Sequence, residues 1–296
     1  MAEETALSAA VRLTIAMETA AALAAYIRVT TESIEVDPRV LTLLEGIAAE
    51  VATDADGIGA AGQPIVGMVR SFLRQAVELV DNPGRIGDWG HVDEAILQGV
   101  GRLSMAITTA FRAACDSLGG LGERLGTPGS TFLDVGTGTG WLAIATARTF
   151  PAVRVTGIDI FEPALLLARE NVVAEGMQDR VDLKEQNAVD ITEEAIYDVI
   201  WLPLPFMPAD TVPQAVGACT RALRPGGWLL PGTFAGPGDR LSQMLVDLRT
   251  VRSGGHPWQP DELVELLSAH GLLDAQEVPR TWTAPVRLYA ARRNEA

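Results

Sequence analysis

Three glycines at alternate positions, Gly136, Gly138 and Gly140, follow the run Phe132-Leu133-Asp134-Val135 and lead into Leu142, Ala143 and Ala145. A strand that ends in such a turn before a helix lets the backbone bend sharply and approach a ligand where any Cβ would collide. The pattern suits a nucleotide-like ligand, although a plain tight turn would also use glycines. A dinucleotide fingerprint needs a further glycine three residues after its second one. Position 141 is Trp, so the pyrophosphate of NAD or FAD is poorly accommodated and an NAD-linked oxidoreductase is disfavoured. Asp134 ahead of the turn suits a cationic amino-acid sulfonium better. Asp134, Gly136, Thr137, Gly138 and Gly140 are therefore the first candidate binding residues.

Nineteen residues beyond Gly140, the run Val155-Thr156-Gly157-Ile158-Asp159-Ile160 places a carboxylate at the C-terminal edge of a second strand. A carboxylate accepts two hydrogen bonds from a vicinal diol and rejects a 2′-phosphate, so Asp159, with Ile160 beside it, is expected to hold a ribose. The alternative is a helix cap for the run from Pro163. Gln186-Asn187-Ala188 closes a third strand, where the Asn187 amide or a main-chain N–H such as that of Ala188 can read an adenine edge. Asn also ends strands for turn reasons alone.

These residues need a sheet to hold them, and the periodicity supplies one. Short β-branched runs occur at Thr131–Val135, Arg154–Ile160, Val181–Gln186, Tyr197–Leu202, Gly227–Leu230, Asp274–Val278 and Val286–Ala291, with helical segments between the first five. Such alternation predicts an α/β fold, a doubly wound, mostly parallel seven-stranded sheet, with the last two strands close enough to pair antiparallel. Before Gly120 the chain reads as helices, at Leu7–Ile27, Val40–Ala52, Val66–Val80 and Asp93–Leu118. Two domains are expected, a helical one over 1–120 and a ligand-binding one over 121–296.

The 296 residues carry a formal charge of −15 with 48% hydrophobic content. That charge repels phosphate backbones and anionic membrane surfaces, so nucleic acid and membrane are not expected partners. Cys115 and Cys219 have no metal-ligand spacing, and no carboxylate and histidine cluster suggests a metal. Met17–Ile27 is interrupted by Glu18 and followed by Arg28, and Glu3 and Glu4 replace the positive start of an export signal. A cytoplasmic protein is expected.

The glycine turn and Asp159 do not stand alone. Ala168-Arg169-Glu170-Asn171, Arg180-Val181, Tyr197-Asp198-Val199-Ile200 and Ala222-Leu223-Arg224-Pro225-Gly226-Gly227 follow in order. Together, over Gly120 to Arg293, they resemble the class I, Rossmann-like methyltransferases that use S-adenosylmethionine. The resemblance implies strand order 3-2-1-4-5-7-6 with strand 7 antiparallel, and S-adenosylmethionine as cofactor.

Methyl transfer from a sulfonium is an in-line displacement, so the protein's task is to align a nucleophile and exclude water. The acceptor is expected at the end of the fourth strand, where Leu202 lies beside the cofactor and Trp201, Pro205, Phe206 and Met207 form an apolar lining with Trp258. Nucleobase and protein-glutamine methyltransferases are similar to one another in an Asn or Asp followed by Pro-Pro and an aromatic at this place; this chain has no Asn or Asp there. Plant-type O-methyltransferases carry a base histidine at the position that counts back to Pro205. Among the three histidines, His270 reads as a helix end, and His91 and His256 are the candidate bases. Arg102 sits where an arginine could meet the cofactor carboxylate, or form a surface ion pair. The reading is methyl transfer to an O, N or activated C atom of an apolar or aromatic small molecule of secondary metabolism. The helical N-terminal half would serve as substrate lid and homodimer layer. A cofactor-binding scaffold without catalysis is the alternative.

Overall fold

The structure is a computed structural model that describes residues 5–51, 58–85, 87, 93–236 and 238–295. The chain divides into two compact units, one of Met1–Pro83 with Asp93–Leu103, the other of Gly84–Val92 with Ser104–Ala296. The division therefore falls at Leu103/Ser104 and not at 120.

The first unit holds α1 (Ala6–Thr31), α2 (Pro38–Val51), α3 (Ile58–Asp81) and most of α4 (Glu94–Ser104). The Thr5 hydroxyl caps α1 by accepting from the Ser8 N–H at 3.2 Å. A small core of Ala24, Ile27, Val66 and Val69 joins α1 to α3. Gly67 and Gly99 let α3 and α4 touch backbone to backbone, since a Cβ on Gly67 would lie 3.2 Å from the Gly99 Cα. The first turns of α1 are apolar without a buried face: Leu7, Val11, Leu13, Ile15 and Met17 are all exposed. By length and composition alone, α1 is also long and apolar enough to cross a membrane, although Arg12 and Glu18 lie within it.

The second unit opens with α5 (Ile107–Ser117) and α6 (Leu121–Gly126). The helix expected over Asp93–Leu118 is thus two helices, broken at Met105-Ala106. Then come β1 (Thr131–Val135), α7 (Trp141–Thr149), β2 (Arg154–Asp159), α8 (Glu162–Ala174), β3 (Val181–Glu185) and β4 (Tyr197–Pro203). They are followed by α9 (Val212–Ala222), β5 (Leu223–Phe234), α10 (Arg240–Arg252), α11 (Pro260–Ala269), β6 (Leu272–Glu277) and β7 (Val286–Arg293). The seven strands lie in the order β3-β2-β1-β4-β5-β7-β6. β1 to β5 run parallel, and β7 is antiparallel to both neighbours.

Side chains alternate across β1, so Phe132 and Leu133 enter opposite cores. On one face Phe111 of α5 packs at a tilt against Phe132 and edge-on against Trp201, with ring centroids 5.5 and 5.4 Å apart. That contact makes α5 part of the sheet unit. On the other face Leu133, Ile158, Ile200 and Leu202 meet Val216 of α9 and Leu263 and Leu267 of α11. β5 starts four residues before the expected Gly227, because Tyr197 pairs with Leu223 ahead of a bulge between Tyr197 and Val199.

At the N-terminal edge of the sheet, Asp198 is 6% exposed. It pairs with Arg124 at 3.1 Å and Arg224 at 2.7 Å and accepts from the Thr131 N–H at 2.9 Å. It is a structural latch. The opposite edge carries the glycine turn, where the strand order reverses between β1 and β4. Open α/β sheets bind ligands at such a switch point.

Candidate active site

The turn after β1 is held in a conformation that side chains disfavour: φ is 63° at Gly136, 56° at Gly138 and 78° at Gly140. Gly140 caps α7 and packs on α8, where a Cβ would come 3.2 Å from that of Ala168. Asn171 of α8 donates to the Thr139 carbonyl at 2.9 Å. The Gly138 N–H donates to Asp159 Oδ2 at 2.7 Å and the Phe161 N–H to Oδ1 at 2.9 Å. The end of β2 and the turn are thereby one structure; Asp159 is not the N-cap that the sequence offered as its alternative, since α8 is capped at Phe161 without a side-chain bond.

Asp134 is 1% exposed. Its Oδ2 accepts from the Thr137 hydroxyl at 2.8 Å, while Oδ1, like the buried Thr139 Oγ1, has no partner. Burial, reinforced by the nearby charge of Asp159, pushes the Asp134 carboxyl up to about 7 against the opposing Thr137 hydrogen bond. Burial also raises Asp159, opposed by the backbone N–H groups of Phe161, Gly138 and Ile160.

Ile160 is 66% exposed at the end of β2. The Gln186 N–H bonds the Asp159 carbonyl, drawing the end of β3 to the same edge. The Asn187 side chain accepts from the Val189 N–H at 3.3 Å, capping a short helical turn, and Ala188 is buried. Leu202 is fully buried in the core, leaving only its backbone for a ligand. Arg102 lies in the last turn of α4, in the first unit. His91 lies outside the described residues.

β4 reaches the turn directly, since a Cβ on Gly136 would lie 3.2 Å from Pro203 Cγ. Beyond it, Leu204–Phe206 form a single helical turn. Trp201, expected to line an acceptor site, is instead core: it is 4% exposed and its ring lies against Gly232, where any Cβ would collide with it. The strand's alternation sends it to the α5 face, away from the edge. Pro205 is buried under Gly255, Phe206 is half-buried, and Met207 packs on the core.

Sequence reasoning missed Phe234 and Arg249. Phe206 meets Phe234 edge-on with centroids 5.6 Å apart, and the Arg249 guanidinium stands 5.8 Å over the Phe234 ring. His256, exposed, meets Trp258 edge-on at 4.9 Å. Pro205, Phe234, Asp247, His256 and Trp258 line one narrow cleft, and the Trp258 indole N–H is buried without a partner. Gly157, also missed, gave a signal in the sequence, because a glycine inside a strand marks a close approach.

Residues 132–227, which span the glycine turn, Asp159 and the entry to β5, match the family described as a methyltransferase domain. Over that span the chain matches a methyltransferase domain. The release factor glutamine methyltransferase of Gloeobacter violaceus is 28% identical over 156 residues, 42% of this chain and 54% of that relative. The chain thus spans about half the length of that relative. The ubiquinone biosynthesis O-methyltransferase of Nitrosomonas europaea is 28% identical over 188 residues, 58% of this chain and 74% of the relative. An O-methyltransferase family protein from Burkholderia thailandensis shares the fold, with TM-score 0.68 and 16% identity over 99% of this chain and 100% of that one.

S-adenosylmethionine is the cofactor of class I methyltransferase domains, and the residues here fit it. The turn leaves no Cβ in the way. Asp159 retains lone pairs for a diol, and the orphaned Asp134 Oδ1 is a buried acceptor suited to a cation. When bound, the cofactor supplies an electrophilic methyl group. Asp159 would hold the ribose, and the glycine turn with Asp134 would face the sulfonium end.

Proposed function

We propose that this protein transfers a methyl group from S-adenosylmethionine to an O, N or activated C atom of an apolar or aromatic small molecule, in natural-product metabolism. The observation that supports the acceptor class is the aromatic cluster of Phe206, Phe234, His256 and Trp258 beyond the ends of β4 and β5; the last three line a cleft of about 20 Å³, which an acceptor would have to widen. It offers ring faces and edges to a planar molecule. The turn after β4 has no Asn or Asp to hold an exocyclic or side-chain amine. This favours a small acceptor over the protein glutamine on which the Gloeobacter relative acts. A charge of −15 opposes nucleic acid and anionic membrane as partners.

Catalysis on this reading is mainly alignment and desolvation. His256 is the residue available in the cleft to take a proton from an acceptor hydroxyl; His91 keeps its candidacy from the sequence. The exposed apolar residues at the start of α1 support a homodimer through the N-terminal helices, and we place the protein in the cytoplasm.

The test is calorimetry with S-adenosylmethionine and S-adenosylhomocysteine, followed by a screen of phenolic acceptors read by S-adenosylhomocysteine release. Micromolar cofactor binding with turnover of a phenol is the expected result. A second reading, a cofactor-binding scaffold without transfer, draws on the post-β4 turn, which carries no acid, base or amide. Tight cofactor binding without turnover across amine, phenol and carbon acceptors would favour it.

A further inference from the structure

Two carboxyl groups share the glycine turn and are held in unlike ways. Asp159, at the end of β2, already has both oxygens on backbone N–H groups, those of Gly138 and Phe161. Asp134, near the end of β1, is fully buried; one oxygen accepts from the Thr137 hydroxyl and the other accepts from nothing.

Room for the Thr137 side chain exists because residue 157 is glycine. A Cβ there would lie 2.7 Å from Thr137 Oγ1 and 2.9 Å from Thr137 Cβ. Thr137 therefore turns into the sheet, between β2 and Asp134, with its hydroxyl given to the carboxyl. The groups that bear on Asp134 are the Asp159 carboxyl from β2, the Thr137 hydroxyl and the backbone of Ala143 in the first turn of α7. In a water-poor site two neighbouring negative charges are costly, and one of the two carboxyls keeps a proton. A positive charge brought to the orphaned oxygen reverses that balance.

We propose that cofactor loading is coupled to proton release, the cation of the methyl donor replacing a proton held by the Asp134 carboxyl, with Thr137 as the positioning residue that sets how firmly the proton is held. In this step the carboxyl O–H bond breaks, its electron pair stays on the oxygen, and the proton passes to the bulk buffer. No other reactant is needed. The inference rests on the reading that this turn binds S-adenosylmethionine. The position of the Asp134 carboxyl, pushed up to about 7, puts the exchange within reach of ordinary pH. Because the Thr137 hydroxyl donates to the ionised form, its removal strengthens proton retention.

The experiment is calorimetry of S-adenosylmethionine binding to the full chain between pH 5.5 and 7.5, in buffer pairs of different ionisation enthalpy. Near pH 6 about one proton is expected to leave per cofactor bound, falling as pH rises, with affinity climbing roughly tenfold per pH unit below the midpoint. Asp134→Asn cannot titrate, so its affinity should be flat across the range, and any proton it still releases belongs to the ligand. Thr137→Val should move the midpoint to higher pH and Thr137→Ser should restore it. A merely structural threonine would not move it. Thermal melts of the free variants establish that each is folded, and the buffer dependence of the unaltered chain decides the matter if Asp134→Asn is not. Failure of the unaltered chain to bind at any pH would overturn the reading of the site. Binding with no proton released near pH 6 would overturn the coupling alone. An unshifted midpoint in Thr137→Val would remove Thr137 from it.

Discussion

The Asn171 side-chain amide, on α8, donates to the Thr139 carbonyl at the crest of the glycine turn, 2.9 Å away. Through this bond the helix that follows the ribose carboxylate holds the loop that precedes it. Asn171→Ala leaves a buried carbonyl without its partner. The expected cost is about 1–3 kcal/mol in stability, with weaker cofactor binding. Urea unfolding and calorimetry on the same variant read the two effects separately.

Asp159→Ala removes both the diol acceptor and the partner of the Gly138 N–H. Cofactor affinity should fall by about 1–3 kcal/mol, the scale of hydrogen bonds to a charged group. Unchanged affinity by calorimetry would take Asp159 out of the site.

The free protein should lose stability as pH rises. The folded Asp134 carboxyl sits at about 7, above the ordinary value of 3.8. Its contribution is complete below the ordinary value and is lost as pH climbs through the folded one. The loss amounts to ~4 kcal/mol at ~1.4 kcal/mol per pH unit. Asp134→Asn should flatten this slope. Denaturant unfolding of both proteins at pH 5 and pH 8 makes the comparison, reading about 3 kcal/mol of that loss because pH 5 already lies above the ordinary value, and equal slopes would count against a protonated Asp134.

Gly255→Ala should disturb the acceptor side while sparing the cofactor side. Any Cβ at 255 collides with the Pro205 backbone, so the loop carrying His256 and Trp258 must move. A destabilisation of about 1–3 kcal/mol is expected from overpacking, with cofactor affinity unchanged by calorimetry. A parallel loss of cofactor binding would mean that the two sides are not separable.

Asp198→Ala leaves Arg124 and Arg224 without the buried carboxylate they share. About 1–3 kcal/mol of stability should go, visible in denaturant unfolding, since the guanidinium groups left behind are 29% and 41% exposed.

The sheet was readable because its signals are local. β1 begins and ends where the β-branched run does, and β2, β3, β4 and β7 depart from their expected ends by no more than two residues. The spacing of the glycines and Asp159 was legible for the same reason, and the structure joins them through the Gly138 N–H. What stayed hidden depends on contacts between distant segments. Trp201 looks like an exposed aromatic until the pleat is known to turn it toward Phe111. Phe234 is the last residue of a strand whose true length depends on pairing with β4 and β7. The boundary between the two units was invisible for the same reason, since α5 joins the sheet unit through Ala110, Phe111 and Ala114, whose partners are distant in sequence. Thr137 shows the limit most plainly: its place in the turn was legible, but the direction of its side chain was set by a missing Cβ twenty residues away at Gly157.

Strand order also bears on how the chain is made. β6 leaves the ribosome before β7, yet in the finished sheet it pairs with β7 alone, and β7 stands between it and β5. Until residues 286–293 emerge, β5 has a bare edge with no antiparallel partner, and β6 has nothing to add itself to. A nascent chain stalled short of that point would present both edges at once, open to pairing with other chains. The cofactor turn, built from β1, β2 and β4, is complete well before then. The stretch of synthesis during which the edge of β5 stands open therefore runs from residue 234 to residue 293.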